Sequence, residues 1–443
     1  MKLKSILGGA ALALAFIVSA HADVTVNITG ATAFRAATLN SIKARYVASG
    51  AAFSYAHDQA AGALSGATRA IFIGTFPGVT GVTTIKCCFT GSVEGVRALI
   101  PAITDPLPPT YYQSSLLGAT TPVVGGAELA SQGTTGALTE ASDIAFSDVT
   151  KSSTPFSAYA LQPSTPAAGV IVFTMIGSEG CPISNITSQQ FRALLTTGFQ
   201  PLSLFTGDAN DDPASGTPNV GAQYMFATGR NDGSGTRTTY LAESGFGITK
   251  IVQQYVTNVS TSTALSTIQL VPAGGVNSPA LPGQSAANAS TVWGQDVDGN
   301  GGYNSGSTLR TDLGKTGASV TVLDATGADA FGVPQKLTLV SWLSLSDAAT
   351  ARTNGAVILG YNGVILTDYA TTGTMSAADQ GKVTSGAYTA WGYENMYRRN
   401  DITAGDKVSV YNGIKSNLAL GTAGIPLTSM LVGRTVDGGT VAP

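Results

Sequence analysis

Charged side chains, histidine and cysteine are all scarce in this chain. Of its 443 residues only 11% are charged, two are histidine and three are cysteine, and the formal net charge is −3. A slightly acidic chain lacks the broad positive surface by which proteins bind nucleic acid. We therefore expect no nucleic-acid partner, although a buried local site could still hold one small anion.

The shortage of histidine also limits catalysis and metal binding. Beyond residue 22 only His57 remains, and the sequence contains neither G-x-S-x-G nor H-E-x-x-H. A serine nucleophile such as Ser234 would have no candidate base near it in sequence. We expect a protein that is not an enzyme and carries no cofactor, with His57 as a structural or surface residue.

The three cysteines are Cys87, Cys88 and Cys181. In an oxidising compartment, three cysteines suggest one disulfide and one remaining thiol. Cys181 could pair with Cys87 or with Cys88, and a vicinal Cys87–Cys88 bridge is a further alternative.

Long hydrophobic runs are missing except at the start of the chain. Residues 1–22 combine a basic head, an apolar run and the small-residue ending Ala20-His21-Ala22, which is the pattern of a cleaved signal peptide. The apolar run is too short for a membrane span. We expect an exported protein, periplasmic or secreted, that is soluble after cleavage and monomeric.

The most informative motif is Arg230-Asn231-Asp232-Gly233-Ser234-Gly235-Thr236-Arg237. A guanidinium offers a planar fork of donors that fits two oxygens of a tetrahedral anion. Glycines let the main chain approach a ligand closely, and the first amides of a following helix are unpaired donors. The motif predicts an anion site, with Asp232 orienting Arg230 and a helix that runs from about Thr236 to a stop at Gly245.

This motif resembles the phosphate-binding loop of the periplasmic phosphate-binding proteins of ABC transporters, which carry R-x-D-G-S-G-T. Three other segments resemble that family in the same order: residues 30–34, 91–96 and 143–148. The resemblance implies phosphate contacts from Thr32, Ala33, Phe34, Ser92, Asp148, Arg230, Ser234, Gly235 and Thr236. Ala33 stands where the family usually has threonine, so one hydroxyl is missing.

The resemblance also implies an α/β fold: a two-lobed clamp of the type II periplasmic-binding-protein class, with a mixed sheet flanked by helices in each lobe and the ligand in the cleft. Residues 23–167 and 376–443 are expected to form lobe 1, and residues 168–375 lobe 2 with insertions. The implied function is capture of hydrogen phosphate for delivery to a membrane permease. The alternative is a surface, scaffold or sensor protein of the same fold with altered or lost phosphate binding.

Local patterns agree with alternating strands and helices. Residues 169–175 form a continuous apolar run, as expected for a buried strand. Thr187 and Gln190 are spaced as a capping box at the start of a helix. Residues 337–345 read as another apolar strand.

A short acidic motif raises the possibility of calcium. Asp296, Asp298 and Asn300 match the first half of a calcium-binding loop, but the twelfth position is Ser307 rather than the bidentate glutamate. Asp and Asn beside glycine also simply form turns. We expect a turn here, with calcium as the weaker alternative.

Overall fold

The structure is a computed structural model of the chain. It describes residues 23–104, 108–163, 165–215, 222–257, 264–271, 301–418 and 424–443. The expected signal peptide and the candidate calcium residues Asp296, Asp298 and Asn300 lie outside the described residues.

The strands in chain order are β1 Val24–Gly30, β2 Ala52–His57, β3 Arg69–Gly74, β4 Thr83–Cys88, β5 Thr110–Tyr111, β6 Val123–Val124, β7 Ala127–Leu129, β8 Leu138–Thr139, β9 Ile144–Ser147, β10 Gly169–Gly177, β11 Asn185–Ile186, β12 Phe199–Pro201, β13 Ala222–Ala227, β14 Tyr255–Thr257, β15 Thr267–Leu270, β16 Thr321–Leu323, β17 Lys336–Ser344, β18 Val357–Tyr361, β19 Trp391–Arg398 and β20 Gly424–Ile425. The apolar runs predicted near residues 169 and 337 are strands β10 and β17. Every residue of β10 is buried, as its uninterrupted apolar sequence requires.

The α-helices in chain order are α1 Arg35–Ala48, α2 Ser92–Ala98, α3 Ser188–Thr197, α4 Ser203–Thr206, α5 Gly235–Glu243, α6 Gly306–Leu313, α7 Leu345–Thr353, α8 Thr367–Thr372, α9 Ala377–Thr384 and α10 Asp406–Lys415. The capping box is confirmed, because Thr187 caps α3 and bonds reciprocally with Gln190. Helix α5 begins one residue earlier than expected and gives way at Gly245, whose φ is +71°.

One large mixed sheet organises the molecule. Strand β1 lies between β4 and β9 and is parallel to both, and β3 and β2 continue that side in antiparallel fashion. On the other side, β10 is antiparallel to β17 and β18, and β13 is parallel to β17. Helices α1 and α10 pack on the first part, whereas α3, α6 and α7 pack on the second.

Strands β10 and β19 connect the two parts. The first half of β10 pairs with the first half of β19, while its second half pairs with β17 and β18. The second half of β19 pairs with β9 instead. The expected α/β architecture, with mixed sheets flanked by helices in two connected lobes, is therefore confirmed. The lobe boundaries at residues 167 and 376 stay predictions.

The disulfide prediction is wrong in this structure, where all three cysteines are free and buried. Cys87 and Cys88 lie within β4 of lobe 1, whereas Cys181 follows β10 in lobe 2. Sequence spacing could not reveal that separation. Burial raises the pKa of the Cys181 thiol to about 11, so this thiol stays protonated at neutral pH.

His57 is structural, as expected. Its side chain is fully buried, its Nδ1 accepts a hydrogen bond from the Gln59 amide, and its Nε2 lies 2.9 Å from Oε1 of Glu128. With Nδ1 as the acceptor, Nε2 carries the proton that is donated to Glu128.

In the described part of the chain, no helix is both long enough and apolar enough to cross a membrane.

Candidate functional site

Arg230 lies at the centre of the candidate site, in the loop between β13 and α5. Its side chain is only 1% exposed. Nε donates to the Tyr303 carbonyl at 2.9 Å, one terminal nitrogen donates to the Asn304 carbonyl at 2.9 Å, and the other donates to Oγ1 of Thr32 at 3.1 Å. Since a guanidinium has five N–H groups, each terminal nitrogen keeps one that is not used by the described residues.

Tyr303 and Asn304 are site residues that the sequence analysis missed. Besides bonding Arg230, Tyr303 donates its hydroxyl to Asp312 at 2.7 Å, and Gln254 donates to the Arg230 carbonyl at 3.0 Å. These contacts hold both ends of Arg230 in place. Carbonyl partners leave no signature in a sequence, so only the tertiary fold could identify them.

The first expected loop, Thr32-Ala33-Phe34, reaches the site from lobe 1. The Thr32 hydroxyl accepts a hydrogen bond from Arg230. It is the one side-chain hydroxyl that this loop retains. Phe34 is buried against Phe146, with ring centroids 5.8 Å apart, and its amide donates within the turn to Ala31 at 3.3 Å. Ala33 is buried in the same turn.

The loop around Gly91 and Ser92 approaches the Arg230 loop closely. The Val93 and Glu94 amides, at the start of α2, donate to the Gly233 carbonyl at 3.0 and 3.3 Å. Gly91 has a φ of +129°, and a Cβ there would lie 2.5 Å from the same carbonyl. A glycine is therefore required for this contact between lobes.

Asp148 is brought together with Ser92, Gly235 and Thr236. The Thr236 hydroxyl donates to Oδ2 of Asp148 and the Asp148 amide donates to Oγ of Ser92, each at 3.4 Å. A Cβ on Gly235 would collide with both Asp148 and Ser92. Ser234 caps α5 by accepting from the Arg237 amide, which leaves its hydroxyl hydrogen for another acceptor.

Burial shifts the pKa values of both charged groups. It raises the pKa of Asp148 to about 6, although the nearby Arg230 opposes the rise. It lowers the pKa of Arg230 to about 10, with Asp347 and Asp148 opposing that shift and Arg35 adding to it. At neutral pH the site therefore holds a guanidinium cation and an ionised Asp148.

The role expected for Asp232 in orienting Arg230 stays a prediction. The described partners of the Arg230 guanidinium are two carbonyls and the Thr32 hydroxyl. Asp232 lines a neighbouring cavity of about 600 Å³ together with Arg97 and Arg237. Main-chain carbonyls of a distant segment thus take part in orienting Arg230.

Arg35, the first residue of α1, is a second basic residue that the sequence analysis missed. Its side chain is 7% exposed, and it has no hydrogen bond or ion pair with any described residue. It directly follows the Thr32-Ala33-Phe34 loop, and its charge is near enough to lower the pKa of Arg230. Its position after the loop was visible in the sequence, but its burial was not.

The described residues contain no group of three or more His, Cys, Asp or Glu side chains that could hold a metal ion. Every expected phosphate contact from Thr32 to Thr236 lies within the described ranges. The contacts above join Thr32 to Arg230 and join Asp148 to Ser92, Gly235 and Thr236. That all of these residues contact phosphate stays a prediction.

Comparisons with solved structures found similar chains at low sequence identity. The chain is similar to a putative phosphate ABC transporter substrate-binding protein with bound phosphate from Clostridium perfringens, with 11% identity over 91% of this chain and 99% of that one and a TM-score of 0.40. It is also similar to an ABC-type phosphate transport receptor from Vibrio cholerae, with 12% identity over 90% of this chain and 99% of that one and a TM-score of 0.37. A third similar structure is a phosphate-binding protein from Stenotrophomonas maltophilia, with 12% identity over 92% of this chain and 91% of that one and a TM-score of 0.33.

These similar solved structures are phosphate-binding proteins. No protein-family model and no curated protein matches the sequence. At these identities and TM-scores the similarity does not extend to individual side chains, so the chemistry of the site has to come from this chain's own residues.

Proposed function

We propose that this protein is an exported receptor that captures inorganic phosphate, as hydrogen phosphate, between its lobes and delivers it to the permease of an ABC transporter. The observation that carries the proposal is the buried guanidinium of Arg230, fixed by carbonyls and in contact with Thr32 of the other lobe. Its two remaining N–H groups, one on each terminal nitrogen, can donate to oxygens of a tetrahedral anion.

Asp148 supplies the selectivity in this proposal. An ionised carboxylate only accepts hydrogen bonds, so it repels an anion that has no proton to donate. Hydrogen phosphate carries such a proton and sulfate does not. The site therefore selects phosphate by a repulsion directed against the competitor.

Arg35 strengthens the proposal because it supplies positive charge that no described residue neutralises by direct contact. Asp347, which also acts on Arg230, is paired with Arg310 at 2.8 Å, so the guanidinium groups of Arg230 and Arg35 with the carboxylate of Asp148 leave the site with a net positive charge. A buried net charge is costly unless a ligand compensates it. A phosphate dianion would provide that compensation.

The alternative is a surface, scaffold or sensor protein that keeps the fold without binding phosphate. Two observations favour it: Ala33 brings no hydroxyl to the site, and the Phe34 amide is already engaged within its own turn. The remaining donors would then bind phosphate weakly or not at all.

Calorimetry on the purified mature protein tests the proposal. The protein is first unfolded and refolded to remove any bound ligand. Phosphate is then expected to bind at one site with nanomolar to micromolar affinity. Absence of phosphate binding would reject the receptor and leave the alternative.

A further inference from the structure

A second buried carboxyl, that of Glu394, lies beside Asp148. The pairing of β19 with β9 places Asn395 opposite Ser147. One step further are Glu394 on β19 and Asp148, the residue that directly follows β9, and the two groups are near enough for the charge of Asp148 to act on Glu394. Residues opposite one another on antiparallel strands project from the same face, with Cβ atoms about 5 Å apart. On its other side Glu394 pairs with Gly169 of β10, where the sheet passes between the lobes.

Three of the four oxygens of the two carboxyl groups have no partner in their surroundings. Glu394 is 0% exposed and Asp148 is 1% exposed. Both carboxyl oxygens of Glu394, and Oδ1 of Asp148, lack a hydrogen-bond partner among the described residues, whereas Oδ2 of Asp148 accepts from Thr236. An ionised Glu394 beside an ionised Asp148 would be strongly unfavourable, because charge in an apolar environment needs hydrogen bonds or a counterion.

The groups around Glu394 favour its acid form. Burial and the charge of Asp148 raise its pKa well above the ordinary value, and the Ser147 backbone opposes this only in part. Arg230 lowers the pKa of Asp148, whereas Asp437 raises it. On β19, the charge of Glu394 contributes to raising the pKa of Tyr397. Strand β10 brings no charged side chain to this place.

We infer that Glu394 is a second acid of the ligand site, and that it donates its carboxyl proton to Oδ1 of Asp148, so that the two groups carry a single negative charge. The inference rests on the proposed function. Oδ2 of Asp148 then remains for the proton of hydrogen phosphate. When Glu394 ionises at higher pH, a second negative charge appears beside the bound anion and phosphate affinity falls.

The test is calorimetric titration with inorganic phosphate from pH 6 to pH 10, in pairs of buffers with different ionisation enthalpies. Wild type is compared with Glu394→Gln, which keeps the shape and a donor but cannot ionise. Glu128→Gln is the matched control, since Glu128 binds His57 far from the cleft and its low pKa of about 2 excludes titration in this range.

Wild type and Glu128→Gln are expected to lose phosphate affinity on the alkaline side and to take up additional protons on binding there. Glu394→Gln is expected to lack both effects, and at the alkaline end it should bind phosphate about tenfold more tightly than wild type, which corresponds to one unit of pKa coupling. Matching pH profiles and proton counts in all three proteins would overturn the inference. If Glu394→Gln does not fold, Asp148→Asn must shift the alkaline transition to lower pH, and an unmoved transition would overturn it equally.

A ligand-free measurement separates this inference from the proposed function. If wild type binds no phosphate, the receptor proposal fails. The carboxyl pair is then judged by unfolding midpoints between pH 5 and pH 8: the wild-type midpoint should fall relative to that of Glu394→Gln as pH rises, and parallel curves would reject the pair.

Discussion

The two sides of the cleft are prepared differently for an anion. On the lobe 2 side, Arg230 is already oriented by the carbonyls of Tyr303 and Asn304. On the lobe 1 side, Oδ1 of Asp148 and both oxygens of Glu394 have no described hydrogen-bond partner. The cationic side is therefore complete before the ligand arrives, whereas the acidic side needs protons to be complete. In the proposed function, Arg230 on the first side supplies the main attraction for the anion, Arg35 of lobe 1 adds to it, and the acidic groups of the second side supply the selectivity.

The largest effect is expected from removing the oriented cation. Arg230→Ala should weaken phosphate binding by about 3–5 kcal/mol, because it removes the fork and leaves buried acceptors unpaired. Arg230→Lys should recover only part of that loss, since an ammonium cannot reproduce the planar fork. Calorimetry measures these affinities, and Arg45→Ala, at the far end of α1, is the control. An unchanged affinity in Arg230→Ala would remove this loop from the site.

Asp148→Asn tests the acidic side. The amide can no longer act as a charged acceptor for the phosphate proton, so phosphate affinity should drop by about 1.5–3 kcal/mol. Because the repulsion also disappears, sulfate should bind better than it does to wild type. Competition between phosphate and sulfate in the same titration reports both changes. A variant that loses phosphate and sulfate affinity equally would show that Asp148 does not discriminate.

Arg35→Gln should have an intermediate effect of about 1–2 kcal/mol on phosphate affinity, because a charge-assisted contact is lost while Arg230 remains. Arg45→Gln is the matched control on the same helix, ten residues away and thus about 15 Å along its axis. Equal affinities in the two variants would show that Arg35 does not contribute to phosphate binding and would leave Arg230 as the cation that does.

The smallest effect is expected for Asp232→Asn. Since carbonyls and Thr32 hold the Arg230 guanidinium, phosphate affinity should change by less than about 1 kcal/mol, within the range of an exposed charge pair. A loss as large as that of Arg230→Ala would support the orienting role that the sequence suggested for Asp232.

Local features of the chain could be predicted from the sequence. Strands β10 and β17 and the Thr187 cap were predictable because periodicity and capping are local properties. The candidate ligand segments could be named because each is a short contiguous motif.

The remaining features depend on contacts between distant parts of the chain. The Tyr303 carbonyl lies 73 residues from Arg230, and Glu394 reaches Asp148 only through strand pairing. The carbonyl partners that the fold supplies to Arg230 are not indicated by any local motif. The burial of Arg35 and the separation of Cys181 from Cys87 were hidden for the same reason.

The pH dependence of anion selectivity tests the central claim most directly. The pKa of Asp148 is raised to about 6, so the group is an ionised acceptor at pH 7.5 and a protonated donor at pH 5. Wild-type protein titrated with phosphate and sulfate should strongly prefer phosphate at pH 7.5. At pH 5 the preference should shrink at least tenfold, because protonated Asp148 can donate to sulfate. Equal affinity for the two anions at pH 7.5, or a preference that does not change between the two pH values, would contradict this account.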